Sequence, residues 1–122
     1  MDLSILIVTY NSANLIGRLL DQLQKEICSH DQPRRIEVVL VDNASRDGTA
    51  ELVARDYPWV SLRASTTNLG FAAGNNLAAQ QAQGRYLLLL NPDALPAPGA
   101  LARGVQLMDA NPQVGLGGGE LL

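Results

Sequence analysis

Leu3-Ser4-Ile5-Leu6-Ile7-Val8-Thr9-Tyr10-Asn11 decides the fold. Its apolar part is rich in β-branched side chains and too short for a buried helix. It stops at once in a polar triplet, so Leu3 to Val8 reads as a strand buried on both faces. The same signature returns twice. Ile36 to Val41 ends in Asp42-Asn43, and Tyr86-Leu87-Leu88-Leu89-Leu90, the strongest strand signal of the chain, ends in Asn91-Pro92-Asp93. A weaker, alternating run, Trp59-Val60-Ser61-Leu62-Arg63, is expected nearer a sheet edge.

Between these runs the apolar residues take a helical period. Ile16, Leu20, Leu23 and Ile27 form one face of a helix, with Asn11 or Ser12 placed to cap its start. Ser29 to Arg35, with Pro33, reads as a loop. After the turn Ala44 to Thr49, capped by Ser45 or Asp47, a helix points Leu52 and Val53 inward and ends before Pro58. The Gly- and Asn-rich stretch Asn68 to Asn76 leads into an Ala-rich helix, with Gly84 at its C′ position. Leu101, Val105 and Met108 mark a last helix, stopped at Asn111-Pro112. Val114-Gly115-Leu116 is expected to begin a fifth strand. Strands and helices thus alternate, which predicts a three-layer α/β/α domain with a mainly parallel sheet covered on both faces.

The composition agrees. The chain has 122 residues, 47% of them apolar and 17% charged, with a formal net charge of −3. That length fits one domain of the usual ~100–200 residues, burying about two-thirds of its unfolded surface. Ordinary apolar content excludes disorder. The acidic balance argues against a nucleic-acid partner bound by phosphate neutralisation. No apolar run reaches the ~18 residues of a membrane span, and Met1-Asp2-Leu3 lacks the basic start of a signal peptide. Cys28, the sole cysteine, cannot form an internal disulfide and is expected beside Ile27 on the first helix. This is compatible with the reducing cytoplasm, the location expected here, with membrane association of the full-length protein left open. With one histidine, His30, and one cysteine, zinc sites and Cys–His nucleophilic pairs are excluded. No serine sits in a G-x-S-x-G elbow. His30 and Arg34-Arg35 read as solvated surface.

Ligands of an open parallel sheet bind beyond the carboxyl ends of its strands. Those ends are Thr9-Tyr10-Asn11, Asp42-Asn43 and Asn91-Pro92-Asp93. Asp93 reads either as a ligand for a hard divalent cation on a diphosphate or as a turn residue beside Pro92. Asp42 reads either as an acceptor for the N–H of a base or a ribose hydroxyl, or as an Asx-turn acceptor for Ala44 or Ser45. Asn68 to Asn76 reads either as an anion-binding approach to a helix N-terminus or as a closely packed helix start. Tyr10 stacks on a planar base or closes the end of the first strand.

Taken in order, Val8-Thr9-Tyr10-Asn11, Val41-Asp42-Asn43-Ala44-Ser45 with Asp47-Gly48-Thr49, Asn68-x-Gly70-Phe71-x-x-Gly74-Asn75-Asn76 and Leu90-Asn91-Pro92-Asp93 resemble the family-2 glycosyltransferases of the GT-A fold, in particular the rhamnosyltransferase-like branch. The resemblance covers essentially the whole chain but only about the first half of a usual family member. It implies that residues 1–122 are the nucleotide-sugar-binding N-terminal part of a GT-A domain, truncated before its acceptor part. Thr9, Tyr10 and Asn11 would line the nucleotide pocket. Asp42, with Asn43 beside it, would pair with a pyrimidine ring, and Asn68 and Gly70 would open the loop over the donor. Asn75 stands where many relatives carry an Arg, so the guanidinium that pairs with the diphosphate there has no counterpart at this position. Asn91-Pro92-Asp93 takes the place of the D-x-D motif, with Asp93 as the metal carboxylate, Asn91 as a neutral oxygen, and Mg²⁺ or Mn²⁺ as the cofactor.

The implied reaction is inverting transfer of a sugar from a dTDP- or UDP-linked donor to a hydroxyl of a glycan or lipid-linked acceptor in polysaccharide synthesis. The catalytic base is expected beyond Leu122, since Glu120 comes too early, so the fragment should bind donor without turnover. The competing reading is a non-catalytic α/β module that binds a nucleotide or a partner. A dinucleotide-dependent oxidoreductase is disfavoured, because Tyr10-Asn11-Ser12 stands where the glycine fingerprint belongs.

Overall fold

The computed structural model describes residues 1–28 and 35–118. The expected loop Ser29 to Arg35 lies outside the described residues except for Arg35, and so do His30, Arg34 and Glu120. The elements follow in the order β1 (Leu3–Thr9), α1 (Ile16–Ile27), β2 (Ile36–Asn43), α2 (Thr49–Asp56), β3 (Ser61–Ser65), α3 (Phe71–Gln81), β4 (Tyr86–Leu90) and α4 (Ala100–Ala110). The four strands form one parallel sheet in the order β3-β2-β1-β4. Strands β1 and β2 are central, and their continuous apolar runs are buried on both faces, as a doubly covered parallel strand requires.

Side-chain alternation divides the core in two. Leu3, Ile5 and Ile7 of β1 and Val38 and Leu40 of β2 meet Ile16, Leu19, Leu20 and Leu23 of α1, Val53 of α2, and Leu101 and Val105 of α4. Leu6, Val39 and Val41 point the other way, onto Ala78 of α3. The chain steps from β1 to β2 to β3 on the first face. It then returns over the second face by α3 to reach β4 beside β1. The direction of strand addition therefore reverses between β1 and β4, which makes their carboxyl ends the switch point where ligands collect in such sheets.

Several elements differ from expectation. β3 begins at Ser61 rather than Trp59 and, as predicted, is an edge. Trp59 instead packs edge-on against Tyr57, with ring centroids 6.4 Å apart. β4 is also an edge of the described sheet. Tyr86, Leu88 and Leu90 pack on the first core, while Leu87 and Leu89 remain 48% and 53% exposed. Val114-Gly115-Leu116 forms no strand. It follows a turn in which the Val114 N–H bonds the Asn111 carbonyl at 2.9 Å. Gly84 is not the C′ residue of α3, whose C-cap is Ala82. A Cβ on Gly84 would lie 2.5 Å from the Ser4 nitrogen, so glycine is needed there for close approach to β1. The Gly84 N–H donates to Ser4 Oγ at 2.8 Å. That hydroxyl donates to Glu37, whose carboxylate also accepts the Gln83 N–H at 2.7 Å.

Neither Asn11 nor Ser12 caps α1 through its side chain. The Ser12 carbonyl accepts the N–H groups of Leu15 and Ile16 instead, at 3.0 and 2.9 Å. Neither Ser45 nor Asp47 is the N-cap of α2, which is Gly48 with no side-chain cap bond, although Asp47, one residue earlier, accepts the Thr49 N–H at 3.1 Å. Among the described residues no helix is long and apolar enough to cross a membrane.

Candidate functional site at the carboxyl rim

Because the strands are parallel, Thr9, Asp42 and the Asn91-Pro92-Asp93 turn all reach the same rim. The cross-strand register sets Thr9 beside Asp42. Asp42 is 2% exposed. Its Oδ1 accepts the hydroxyls of Thr9 (2.7 Å) and Ser45 (2.6 Å), and its Oδ2 accepts the Ser45 N–H at 3.0 Å. The Asx-turn reading of Asp42 is therefore realised. A carboxylate offers about four acceptor positions, and three are filled.

This carboxylate anchors a set of bonds between the loops that follow β1 and β2. The Asn11 N–H donates to Ser45 Oγ at 2.8 Å, and the Arg46 N–H donates to Asn11 Oδ1 at 2.9 Å. The Ser12 N–H donates to Thr49 Oγ1 at 3.0 Å, and the Ala13 N–H to Asp47 Oδ2 at 3.0 Å. The Thr49 hydroxyl in turn donates to Asp47 and, as the largest influence, holds its carboxyl below the ordinary range. Asn11 and Ala44 take positive φ, at 48° and 59°, so both loops turn sharply and bring their backbones together.

Asn43 does the same for the third loop. Its Nδ2 donates to the Gly70 carbonyl at 3.0 Å, and its Oδ1 accepts the Leu69 N–H at 3.2 Å. Asn68 folds back on the Gly70 N–H at 2.9 Å. Gly74 lets α3 close onto the rim, since a Cβ there would stand 3.0 Å from Val8 Cγ1. The outcome is a cleft of about 240 Å³ lined by Val8, Thr9, Tyr10, Asn43, Asn68, Gly70 and Phe71.

Five sequence-predicted residues thus share one cleft: Thr9, Tyr10, Asn43, Asn68 and Gly70. Asp42 supports it from below. Asn11 belongs to the cross-loop bonds. Asn75 is buried, with Nδ2 donating to the Phe71 carbonyl at 3.1 Å within its own helix. Asn91 and Asp93 are exposed outside the cleft, on the far side of β1, in a turn closed by the Ala94 N–H and the Asn91 carbonyl at 3.0 Å. Two strand spacings put this turn ~10 Å from the end of β2. Among the described residues no three His, Cys, Asp or Glu side chains gather in a way that could hold a metal ion.

Sequence reasoning quoted Phe71 only within its motif and gave it no role, and it named Ser45 as a cap or as the backbone partner of Asp42 but not as the link to Asn11. Phe71 opens α3 and is 59% exposed, facing the same cleft as Tyr10, which is 52% exposed. An aromatic beside Gly70, in a chain with only 4% aromatic residues, was the available signal. The link that the Ser45 hydroxyl makes to the loop after β1 had no signal of its own.

Residues 4–119 match the sequence profile of glycosyl transferase family 2. The chain belongs to that family. The poly(ribitol-phosphate) beta-N-acetylglucosaminyltransferase TarS of Staphylococcus aureus is 34% identical over 97 residues, 76% of this chain and 16% of that protein. An N-acetylglucosaminyl-diphospho-decaprenol L-rhamnosyltransferase of Mycobacterium tuberculosis is 30% identical over 110 residues, 81% of this chain and 34% of its own length. The family-2 chain thus spans about a third or less of these relatives. Among solved structures, S. aureus TarS 1–349 in complex with UDP-GlcNAc superposes with a TM-score of 0.75 at 30% identity, covering 90% of this chain and 32% of that one. A mannosyltransferase from Pyrobaculum calidifontis in complex with GDP-Man and Mn²⁺ gives 0.77 at 35% identity, covering 93% and 33%. The architecture is accordingly the α/β GT-A fold.

Proposed function

We propose that this family-2 chain binds the nucleotide diphosphate of a dTDP- or UDP-sugar at its carboxyl rim. In the whole protein the sugar is transferred with inversion to a glycan or lipid-linked acceptor hydroxyl in polysaccharide synthesis. The observation that carries this reading is the cleft at the carboxyl ends of β1 and β2, beside the point where the sheet reverses and flanked by two exposed aromatic side chains, Tyr10 and Phe71. At about 240 Å³ it is smaller than the ~300–1,000 Å³ of most small-molecule sites, which suits a base and ribose rather than a complete donor. Tyr10 and Phe71 offer rings against which a planar base stacks. The remaining acceptor position of Asp42 suits the ring N–H of a pyrimidine, and Thr9 and Ser45 hold that carboxylate in place. Asn43, Asn68 and Gly70 fix the loop that covers the ribose. The neighbours bound to UDP-GlcNAc and GDP-Man support a nucleotide-sugar in a fold of this kind.

On this reading the diphosphate extends past β1 toward Asn91 and Asp93. Those residues fit Mg²⁺ or Mn²⁺ in donor chemistry. Both offer hard oxygen and Asp93 is exposed, and these ions commonly take one or two carboxylates and complete their shell with phosphate and water. The charge developing on the departing diphosphate is offset when such an ion is bound. Asn75, tied to Phe71, helps fix the first turn of α3 beneath the donor.

Calorimetric titration with UDP tests this. Binding should tighten on adding Mn²⁺, and Asp93→Ala should remove the enhancement while leaving metal-free binding intact. Binding that ignores the metal would favour the non-catalytic module. No binding of UDP or dTDP by the folded chain would overturn the donor reading.

A further inference from the structure

Glu26 takes no part in the cleft, and the physics of its own helix does not explain it. It is the second-last residue of α1, on the face that buries Leu19, Leu20 and Leu23, and is itself 8% exposed. Burying a carboxylate is costly unless it is paired, and the C-terminal end of a helix disfavours negative charge. Its partner lies 73 residues away in sequence. Both carboxylate oxygens reach the Gly99 N–H, at 3.1 and 3.3 Å. Gly99 is the N-cap of α4, with φ +80°, so the carboxylate meets the one end of a helix where unpaired amides and the dipole favour an anion. One turn earlier on α1, Gln22 Nε2 donates to the Pro96 carbonyl at a long 3.5 Å.

Between β4 and Gly99 runs the segment from Asn91 to Pro98. Its near end is held by the pairing of Leu90 with Ile7. Its interior is folded by the turn from Asn91 to Ala94 and by the Ala100 N–H bond to the Ala97 carbonyl at 3.0 Å. Its far end is held by Glu26. We propose that Glu26 is a positioning residue for Asp93: by fixing Gly99 it pins the segment that presents the Asp93 carboxylate at the rim. This rests on the reading of Asp93 as the metal carboxylate.

The test is UDP titration with and without Mn²⁺ on the wild-type chain, Glu26→Ala and Glu26→Gln, together with hydrogen exchange across residues 91–99. Glu26→Ala should bind UDP without metal as the wild type does, lose about tenfold of the Mn²⁺ enhancement, and exchange faster in that segment alone. Glu26→Gln keeps one neutral oxygen for the Gly99 N–H and should recover part of both, leaving a loss of about threefold in the enhancement. If Glu26→Ala does not fold, Glu26→Gln decides alone: a loss of about threefold in the enhancement supports the proposal, and wild-type values overturn it. An equal loss with and without Mn²⁺, or unchanged exchange at 91–99, also overturns it. If wild-type binding ignores Mn²⁺ altogether, the reading of Asp93 fails first and takes the proposal with it.

Discussion

Ala44 carries a φ of 59°, where a Cβ crowds the next carbonyl at a cost of about 1–2 kcal/mol. It is held there because Asp42 accepts the Ser45 N–H, so the chain must turn within one residue. Ala44→Gly should raise stability by about 0.5–1 kcal/mol, after allowance for the greater freedom of glycine in the unfolded chain. That would be read as a higher urea midpoint at unchanged slope, and a lower midpoint would contradict the strain. Asp47 carries the pH dependence of the same knot. Its folded pKa is lowered, chiefly by the Thr49 hydroxyl. The stabilisation it gives is therefore complete above the unfolded value near pH 4 and is lost as pH falls through the lower folded value. Urea midpoints of Asp47→Asn should fall less steeply than wild type between pH 5 and about pH 2.5; parallel acid limbs would contradict this. At this scale the residues with chemistry at strand ends, Thr9, Asp42 and Asn43, were legible because an apolar run that stops at a polar side chain marks a rim. Glu26 was not, since its partner, 73 residues away, is chosen by tertiary geometry.

At the scale of elements, the strand signals located all four strands, with the bounds of β3 displaced by two residues. The alternating pattern marked β3 as an edge, but nothing in the run of β4 marked it as the other. Tyr86 to Leu90 reads as fully buried, yet Leu87 and Leu89 lie beyond the reach of α3, which covers β1 and β2. Val114 to Leu116 has strand composition but no strand partner among the described residues. Gly84 misled because a helix-stop glycine and a close-contact glycine look alike in sequence. The structure distinguishes them. Its Cβ would meet main-chain atoms, 2.5 Å from the Ser4 nitrogen and 2.8 Å from the Leu3 carbonyl carbon, and backbone cannot swing aside. Gly84→Ala should cost about 1–3 kcal/mol in chemical denaturation. A change below ~0.5 kcal/mol, typical of neutral surface sites, would mean that the α3–β4 connection is free to move.

At the scale of the molecule, the order β3-β2-β1-β4 brings four separate sequence motifs to one rim and leaves the opposite end to the Ser4–Glu37 contact. The rim has two parts. Over β1 and β2 lies a cleft walled by Tyr10, Asn43, Gly70 and Phe71. Beyond β1 lies the exposed turn of Asp93. Alternation of strands and helices made this common rim legible, while the division of the rim follows from α3 lying over one side only. On the reading proposed above, a nucleotide diphosphate spans both parts. Backbone amide chemical-shift mapping of the ¹⁵N-labelled chain during titration with UDP and Mn²⁺ tests it most directly. Shifts are expected at Tyr10, Asn43, Gly70 and Phe71 with UDP alone, joined by Asp93 and Ala94 only when Mn²⁺ is present. Shifts confined to other surfaces, or none at saturating UDP, would contradict it.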